Sequence, residues 1–371
     1  MGQCDRRGEH MKKIMTLLLM LCCTNIFADP IKQIIFFGDS LTDNGNLYKH
    51  DFKIMPKDPP YYQGRFSNGP TWAEHLGNYY YARYNINYDI YAVGGATVVL
   101  CNPLKGCLPL TLKAEIDDYF FHTAAKDRAN TLFIIWIGAN DYISETKQDP
   151  NSFTDDVIKQ LSTDIKALLQ NGGKHFALLD LPDLSKTPRE LTDHTPTAQR
   201  LHILSELHHQ KMIATINQFR NQYPNATFSY VDTYAIFNDI IENTKKYNQK
   251  YNLHITNIAE SCWEGGYALK KLLAQNDAEK ELNAALQQAD NSYPTGMFKN
   301  MDPNALTQYM LKSPALAEAY KVGKLQASGI KPCVNPDDYM FWDQIHPTEV
   351  THQLFADIVL ETLENEIKSL R

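Results

Sequence analysis

Apolar and polar positions along the chain switch between two periods. Residues 32–37 (KQIIFF), 131–137 (TLFIIWI), 174–181 (KHFALLDL) and 226–231 (ATFSYV) are apolar runs of strand length, and 86–93 (INYDIYAV) is a weaker fifth. Between them the apolar residues return every three or four positions. Val157, Ile158, Leu161, Ile165, Leu168 and Leu169 share one helical face, and Asn171-Gly172-Gly173 stops that helix. Leu201, Leu204, Ile213, Ile216 and Phe219 repeat the pattern over 197–221, and Val350, Leu354, Phe355, Ile358 and Val359 do so after Pro347. Strands alternating with helices predict a three-layer α/β/α domain around a parallel sheet of about five strands. Residues 244–336, rich in Asn, Gln, Lys and Ala, break the rhythm and read as an insertion before the terminal helix.

In such sheets ligands sit beyond the carboxyl ends of the strands. Ser40 follows the first run, Gly94-Gly95 the second and Asn140 the third, so all three fall on one rim. The stretch FFGDSLTDNG (36–45) places Ser40 where a strand delivers it. A serine hydroxyl is a poor nucleophile without an adjacent base. Asp343 and His346, three apart in FWDQIHPTEV, supply a carboxylate and an imidazole just before a helix, and an imidazole needs a partner on one nitrogen to present the other as base. Asn140 in WIGANDY can donate its side-chain N–H to a developing oxyanion, and Gly95 in YAVGGAT can offer a backbone N–H with no side chain in the way. Taken singly, each segment also reads as ordinary structure: a loop serine, a helix start with Pro347 at its first position, an Asn-Asp turn.

Together and in this order, the segments resemble the blocks of the GDSL, or SGNH, hydrolase family. FFGDSLTDNGN matches its first block, YAVGGAT its second, GAND its third, and DQIH the D-x-x-H of its fifth. YYQGRFSNGPTWAEHL (61–76) resembles the segment that follows the first block in secreted bacterial lipolytic members. The match spans roughly 31–240 and 337–368 and leaves the insertion uncovered. The resemblance implies a flavodoxin-like SGNH fold. It implies Ser40 as nucleophile, His346 as general base, Asp343 as its orienting carboxylate, and an oxyanion hole of the Ser40 N–H, the Gly95 N–H and the Asn140 side chain, with Gly94 as the other register for the glycine. Asp39 and Asp43 are expected to shape the nucleophile loop. No G-x-S-x-G occurs, so this is a different nucleophile turn from the α/β-hydrolase elbow. The chemistry implied is acyl-ester hydrolysis through an acyl-serine, with no metal or organic cofactor. The substrates implied are phospholipids or lysophospholipids met at a membrane surface, with cholesterol as a second acyl acceptor, as in phospholipases A, lysophospholipases and glycerophospholipid:cholesterol acyltransferases. A short-chain or carbohydrate acetyl esterase is the rival on the same scaffold, and a secreted binding protein with a dead triad is the rival from another class.

The N-terminal segment and the cysteine count lead us to expect an exported chain, and the charge narrows its partners. The formal charge is −7 with no basic stripe, which speaks against a nucleic-acid partner. Lys12 and Lys13 precede the apolar run Ile14 to Cys23, and Ala28 stands as a small residue at a cleavage point, so residues 1–28 are expected to be an export signal starting at Met11. That leaves 29–371 as a secreted or periplasmic hydrolase domain. Four cysteines remain there, and an even count in an exported chain reads as disulfides. Cys101–Cys107 and Cys262–Cys333 are the preferred pairs because each brackets a local segment. The second would close about 70 residues of the insertion and stabilise by about 4 kcal/mol. Such a tethered loop beside Asp343 suggests a lid, and an activating protease as a partner.

Three further groups are set aside. His346, Glu349 and His352 lack the i, i+4 histidine spacing of a helical zinc site. His208 and His209 are expected on a helix surface. The aromatics of 61–66 and 79–81 can line an acyl groove or simply pack, and Lys-rich 245–250 reads as a solvated face.

Overall fold

The first apolar run becomes strand β1 (Gln33–Gly38), of which five of six residues are buried because helices cover both faces of the sheet. The computed structural model describes residues 31–50, 56–99, 110–144, 148–193, 196–263, 316, 319, 329 and 331–369. The expected signal, 1–28, and the expected Cys101–Cys107 bridge lie outside them. After β1 come helices α1 (Asn46–His50) and α2 (Trp72–Tyr84), strand β2 (Asn87–Ile90), helix α3 (Leu112–His122), strand β3 (Thr131–Trp136) and helices α4 (Ala139–Ser144) and α5 (Pro150–Gln170). Strand β4 (His175–Leu179), a 3-10 turn at Leu184–Lys186, α6 (Pro188–Asp193), α7 (Pro196–Gln222), β5 (Thr227–Val231), α8 (Thr233–Glu242) and α9 (Thr244–Tyr251) follow. Strands β6 (Asn257–Ser261) and β7 (Tyr339–Phe341) and the terminal helix α10 (Glu349–Ser369) complete the order. Among the described residues, no helix is long and apolar enough to cross a membrane.

The main sheet is parallel, with strand order β2-β1-β3-β4-β5. The chain winds outward in one direction to β2 and in the other from β3 onward. The crevice between the carboxyl ends of β1 and β3 is therefore the topological switch point, where α/β sheets take their ligands.

Each face of the sheet has its own aromatic layer. Phe133, Phe176 and Phe228 stand in register on three adjacent strands. Phe176 stacks on Phe133 at 5.6 Å and on Phe228 at 5.2 Å, and Phe219 of α7 covers the stack at 5.4 Å. On the other face Trp136 lies 4.6 Å from Phe355 of α10 and 5.5 Å from Trp72 of α2. Helix α5 shows how local signals set an element's ends. Asp149 caps it by accepting the Ser152 N–H, Pro150 occupies its first turn, and Gly172 at φ +100° lets Gly173 donate back to the Leu168 carbonyl at 2.9 Å.

Two expectations need correction. His208 is fully buried, not superficial, and its Nδ1 meets the Tyr142 hydroxyl at 2.8 Å. His209 is only partly exposed and pairs with Asp180 at 2.6 Å. Position 208 continues the stripe of Leu201, Leu204 and Met212, so the helix turns that histidine inward. Ile213, assigned to the apolar face, is exposed instead.

Residues 244–261, which the rhythm assigns to the insertion, form α9 and β6. Strand β6 pairs in parallel with β7, Asn257 opposite Tyr339 and Ser261 opposite Phe341. Cys262, directly after β6, is disulfide-bonded to Cys333, and the Cys333 N–H donates to the Cys262 carbonyl at 2.8 Å. The small sheet and the bridge thus brace the chain just before Asp343.

Phe176→Ala, which removes the middle ring of the stack, is expected to lower stability by about 3–5 kcal/mol, measured by urea unfolding. A loss below 1 kcal/mol would show that this layer does not carry the core.

Candidate active site

Ser40 sits in a tight turn straight after β1. The Thr42 and Asp43 N–H groups both donate to the Asp39 carbonyl at 2.9 Å, and the Leu41 N–H donates to the Asp39 carboxylate. Asp43 does more. Its two oxygens accept the N–H groups of Gly45 (2.8 Å), Asn46, Leu47 (3.1 Å) and Gly94 (2.7 Å), which ties the serine turn to the loop after β2. Asn46 strengthens the tie by donating its side-chain amide to the Ile90 and Ala92 carbonyls. Asp39 and Asp43 therefore shape the loop.

The imidazole arrives from the opposite end of the sequence. Asp343 Oδ1 accepts the N–H groups of Ile345 (2.8 Å) and His346 (2.7 Å), so the D-x-x-H spacing is that of a carboxylate folding its own loop. Asp343 Oδ2 meets His346 Nδ1 at 2.7 Å, and His346 Nε2 faces Ser40 Oγ at 3.0 Å. All three side chains are buried. Burial works to raise the Asp343 pKa, but the neighbouring His346 and the hydrogen bonds it accepts outweigh this and hold the carboxyl below the ordinary range.

Asn140 opens α4 directly after β3. One N–H of its side-chain amide is spent on the Ala96 carbonyl at 3.0 Å, which fixes its rotamer and leaves a second hydrogen on the same nitrogen. The Gly94 N–H is committed to Asp43. Gly95 adopts φ +81°, and a side chain there would collide with Leu316, a buried residue from between the two bridged cysteines.

Several residues support the site in ways that the sequence does not mark. Tyr61 donates its hydroxyl to Asp343 Oδ2 at 2.6 Å, and the Phe66 ring lies 5.1 Å from the His346 ring. The 61–66 aromatics thus hold the imidazole and its carboxylate. Glu115, fully buried on α3, accepts the N–H groups of Gly38 (3.0 Å) and Val93 (3.2 Å), joining the ends of β1 and β2. Asp141 accepts the N–H groups of Val98 and Val99. Burial raises the carboxyl pKa of all these rim acids: Asp39 and Asp43 to about 6, Asp141 to about 7, and Glu115 well above its ordinary value. In each case the backbone N–H groups oppose the shift.

Ser40, Asn140 and His346 open onto a partly enclosed cavity. Its wall is mostly apolar and includes Leu41, Trp136, Ile143, Phe237, Ile241 and Phe341. Tyr79, Tyr80 and Tyr81 lie on α2 and take no part in that wall.

His346, Glu349 and His352 point to separate partners. Glu349 pairs with His75, and His352 Nδ1 accepts the Trp72 N–H, with burial lowering the His352 pKa to about 3. Among the described residues, Asp180, His209 and Asp232 could approach a cation together. Asp180 is already engaged there by His209, the Tyr230 hydroxyl and the Tyr234 N–H.

A serine hydroxyl facing an imidazole that a buried carboxylate holds, on the rim of a parallel α/β sheet, is the arrangement of the serine hydrolases and acyltransferases as a class. The chain belongs to the GDSL-like lipase/acylhydrolase family, whose model matches residues 34–359. It is 27% identical over 370 residues to the phosphatidylcholine-sterol acyltransferase of Aeromonas hydrophila, covering 97% of this chain and 99% of that one. It is 28% identical over 225 residues to the secreted effector protein SseJ of Salmonella typhimurium, covering 59% of this chain and 51% of that one. A thermolabile hemolysin of Vibrio parahaemolyticus is 22% identical over 341 residues, with 91% and 65% covered. The protein is thus an ester hydrolase or acyltransferase of the GDSL type.

The raised carboxyl pKa values fix a sign for stability against pH. Above about pH 4 the unfolded chain has released protons that, when folded, Asp39 and Asp43 hold up to about pH 6, Asp141 up to about pH 7 and Glu115 to well above its ordinary range, so these groups stabilise less as pH rises. The lowered pKa values of buried His208 (to about 3) and His352 act in the opposite direction. The carboxyls outnumber them. The urea midpoint is expected to fall from pH 5 to pH 7; a rising midpoint would show that the N–H donors keep the rim acids ionised throughout.

Proposed function

We propose that the protein is an exported lipolytic enzyme that cleaves acyl esters of phospholipids or lysophospholipids through an acyl-serine intermediate. The single observation that carries this reading is the Ser40–His346–Asp343 chain, two hydrogen bonds of 3.0 and 2.7 Å, at the mouth of an apolar cavity. His346 Nε2 takes the Ser40 proton as Oγ attacks the ester carbonyl, and Asp343 stabilises the imidazolium that results. The tetrahedral oxyanion is received by the Ser40 and Gly95 N–H groups and the second hydrogen of the Asn140 amide. Each such donor is worth about 3 kcal/mol of transition-state stabilisation. His346 then protonates the leaving alcohol, and a second acceptor, water or a sterol, removes the acyl group.

The apolar wall favours a long acyl chain over an acetyl group. A sterol acceptor is supported by the likeness to an acyltransferase over nearly the whole of both chains. The lid reading of the segment between Cys262 and Cys333 is supported by Leu316, which stands buried against Gly95.

The test is one incubation of the mature protein with phosphatidylcholine, lysophosphatidylcholine and cholesterol, beside Ser40→Ala, followed by lipid separation. Free fatty acid that disappears in Ser40→Ala is the expected result, and cholesteryl ester would add the transferase activity. Activity confined to esters shorter than about four carbons would overturn the lipid reading. Tyr61→Phe removes a hydrogen bond to a charged carboxylate, worth about 1.5–3 kcal/mol. It should lower kcat/KM roughly 10- to 100-fold while leaving a folded protein. An unchanged kcat/KM would show that Asp343 needs no such support.

A further inference from the structure

The cavity beside Ser40 carries a cation that an acyl chain does not use. Lys186 closes the 3-10 turn after β4, is half-buried, and lines the same cavity as Ser40 and His346. Its Nζ donates to Asn238 Oδ1 of α8 at 2.6 Å, so two elements from neighbouring strands converge to hold it. Among the described residues, no carboxylate lies within 4.0 Å of that ammonium. The nearby acid, Asp183, is occupied elsewhere: one oxygen holds the Ser185 N–H and hydroxyl, and the other meets His202 at 2.8 Å.

An ammonium that borders a mostly apolar wall is well placed to pair with an opposite charge brought in by a ligand. An ammonium has three N–H donors, and Asn238 is the hydrogen-bond partner of one. Lysine serves as a point charge for phosphate in this situation. In a glycerophospholipid only a few bonds separate the acyl ester from the phosphate, so one cavity can hold both groups at once.

We propose that Lys186 reads the anionic phosphate of a glycerophospholipid or lysophospholipid head group while the acyl ester lies at Ser40. The proposal rests on the reading of Ser40 as the nucleophile. It makes Lys186 a specificity-determining residue that separates phosphate-bearing esters from neutral glycerides.

The experiment compares the full chain with Lys186→Met and Lys186→Arg at constant ionic strength. Substrates are lysophosphatidylglycerol and a monoacylglycerol with the same acyl chain. The readout is the ratio of the two kcat/KM values. Lys186→Met is expected to lower the ratio ten-fold or more in disfavour of the phospholipid, and Lys186→Arg to restore most of it. A ratio that stays within two-fold in Lys186→Met would overturn the proposal, including the case in which both activities fall together because Lys186 only holds the wall. Inorganic phosphate is added to the monoacylglycerol reaction as a second arm. Phosphate inhibition that needs Lys186, with an unchanged substrate ratio, would assign the site to free phosphate and overturn the head-group reading. If the wild type cleaves neither substrate and Ser40 does not react with a fluorophosphonate, the reading of Ser40 falls, and this proposal with it.

Discussion

The carboxylate of Asp43 is the joint on which the site depends. Four backbone N–H groups from two separate loops converge on its two oxygens. With them the turn that carries Ser40 and the loop that carries Gly94-Gly95 become one rigid body. Glu115 repeats the device one layer deeper, between the ends of β1 and β2, and Asp141 repeats it for residues 98–99. The rim of a parallel sheet is a place where strands stop donating to one another. Buried acids take over the orphaned N–H groups there, and polar groups cut off from water need such partners. The resulting geometry is set before any substrate arrives, as the proposed stabilisation of an oxyanion demands.

The second half of the site is built by different means. The loop with Asp343 and His346 belongs to no strand of the main sheet. It is held by β7 paired with β6, by the Cys262–Cys333 bridge, and by Tyr61 reaching over from the segment after β1. Asp343 spends one oxygen on its own loop and the other on His346 and Tyr61. The same side chain thus folds the turn and aims the imidazole.

The fold was legible because most strands of the sheet are buried on both faces and read as unbroken apolar runs. β2 was the weak one, and its pattern explains why: only Ile90 of its four residues is buried, as suits an edge strand. β6 gave no signal, since its residues are half-exposed and irregular. The segments that bring Ser40, Asp343 and His346 together were legible because these residues carry reactive side chains in short, recognisable settings. Glu115 and Tyr61 were not, because their partners lie 77 and 282 residues away and nothing local marks a glutamate or a tyrosine as a strut. His208 could have been found, because its spacing from Leu204 and Met212 places it on the inner stripe of its helix.

The most direct measurement is covalent labelling of the full chain with a fluorophosphonate, the adduct mapped by peptide mass spectrometry, in the wild type and in His346→Ala. A serine activated by His346 is expected to give a stoichiometric adduct on Ser40 that forms at least 100-fold more slowly in His346→Ala. An adduct that avoids Ser40, or a rate indifferent to His346, would contradict the central claim that these two side chains, meeting at 3.0 Å across the rim of the sheet, are the reactive pair.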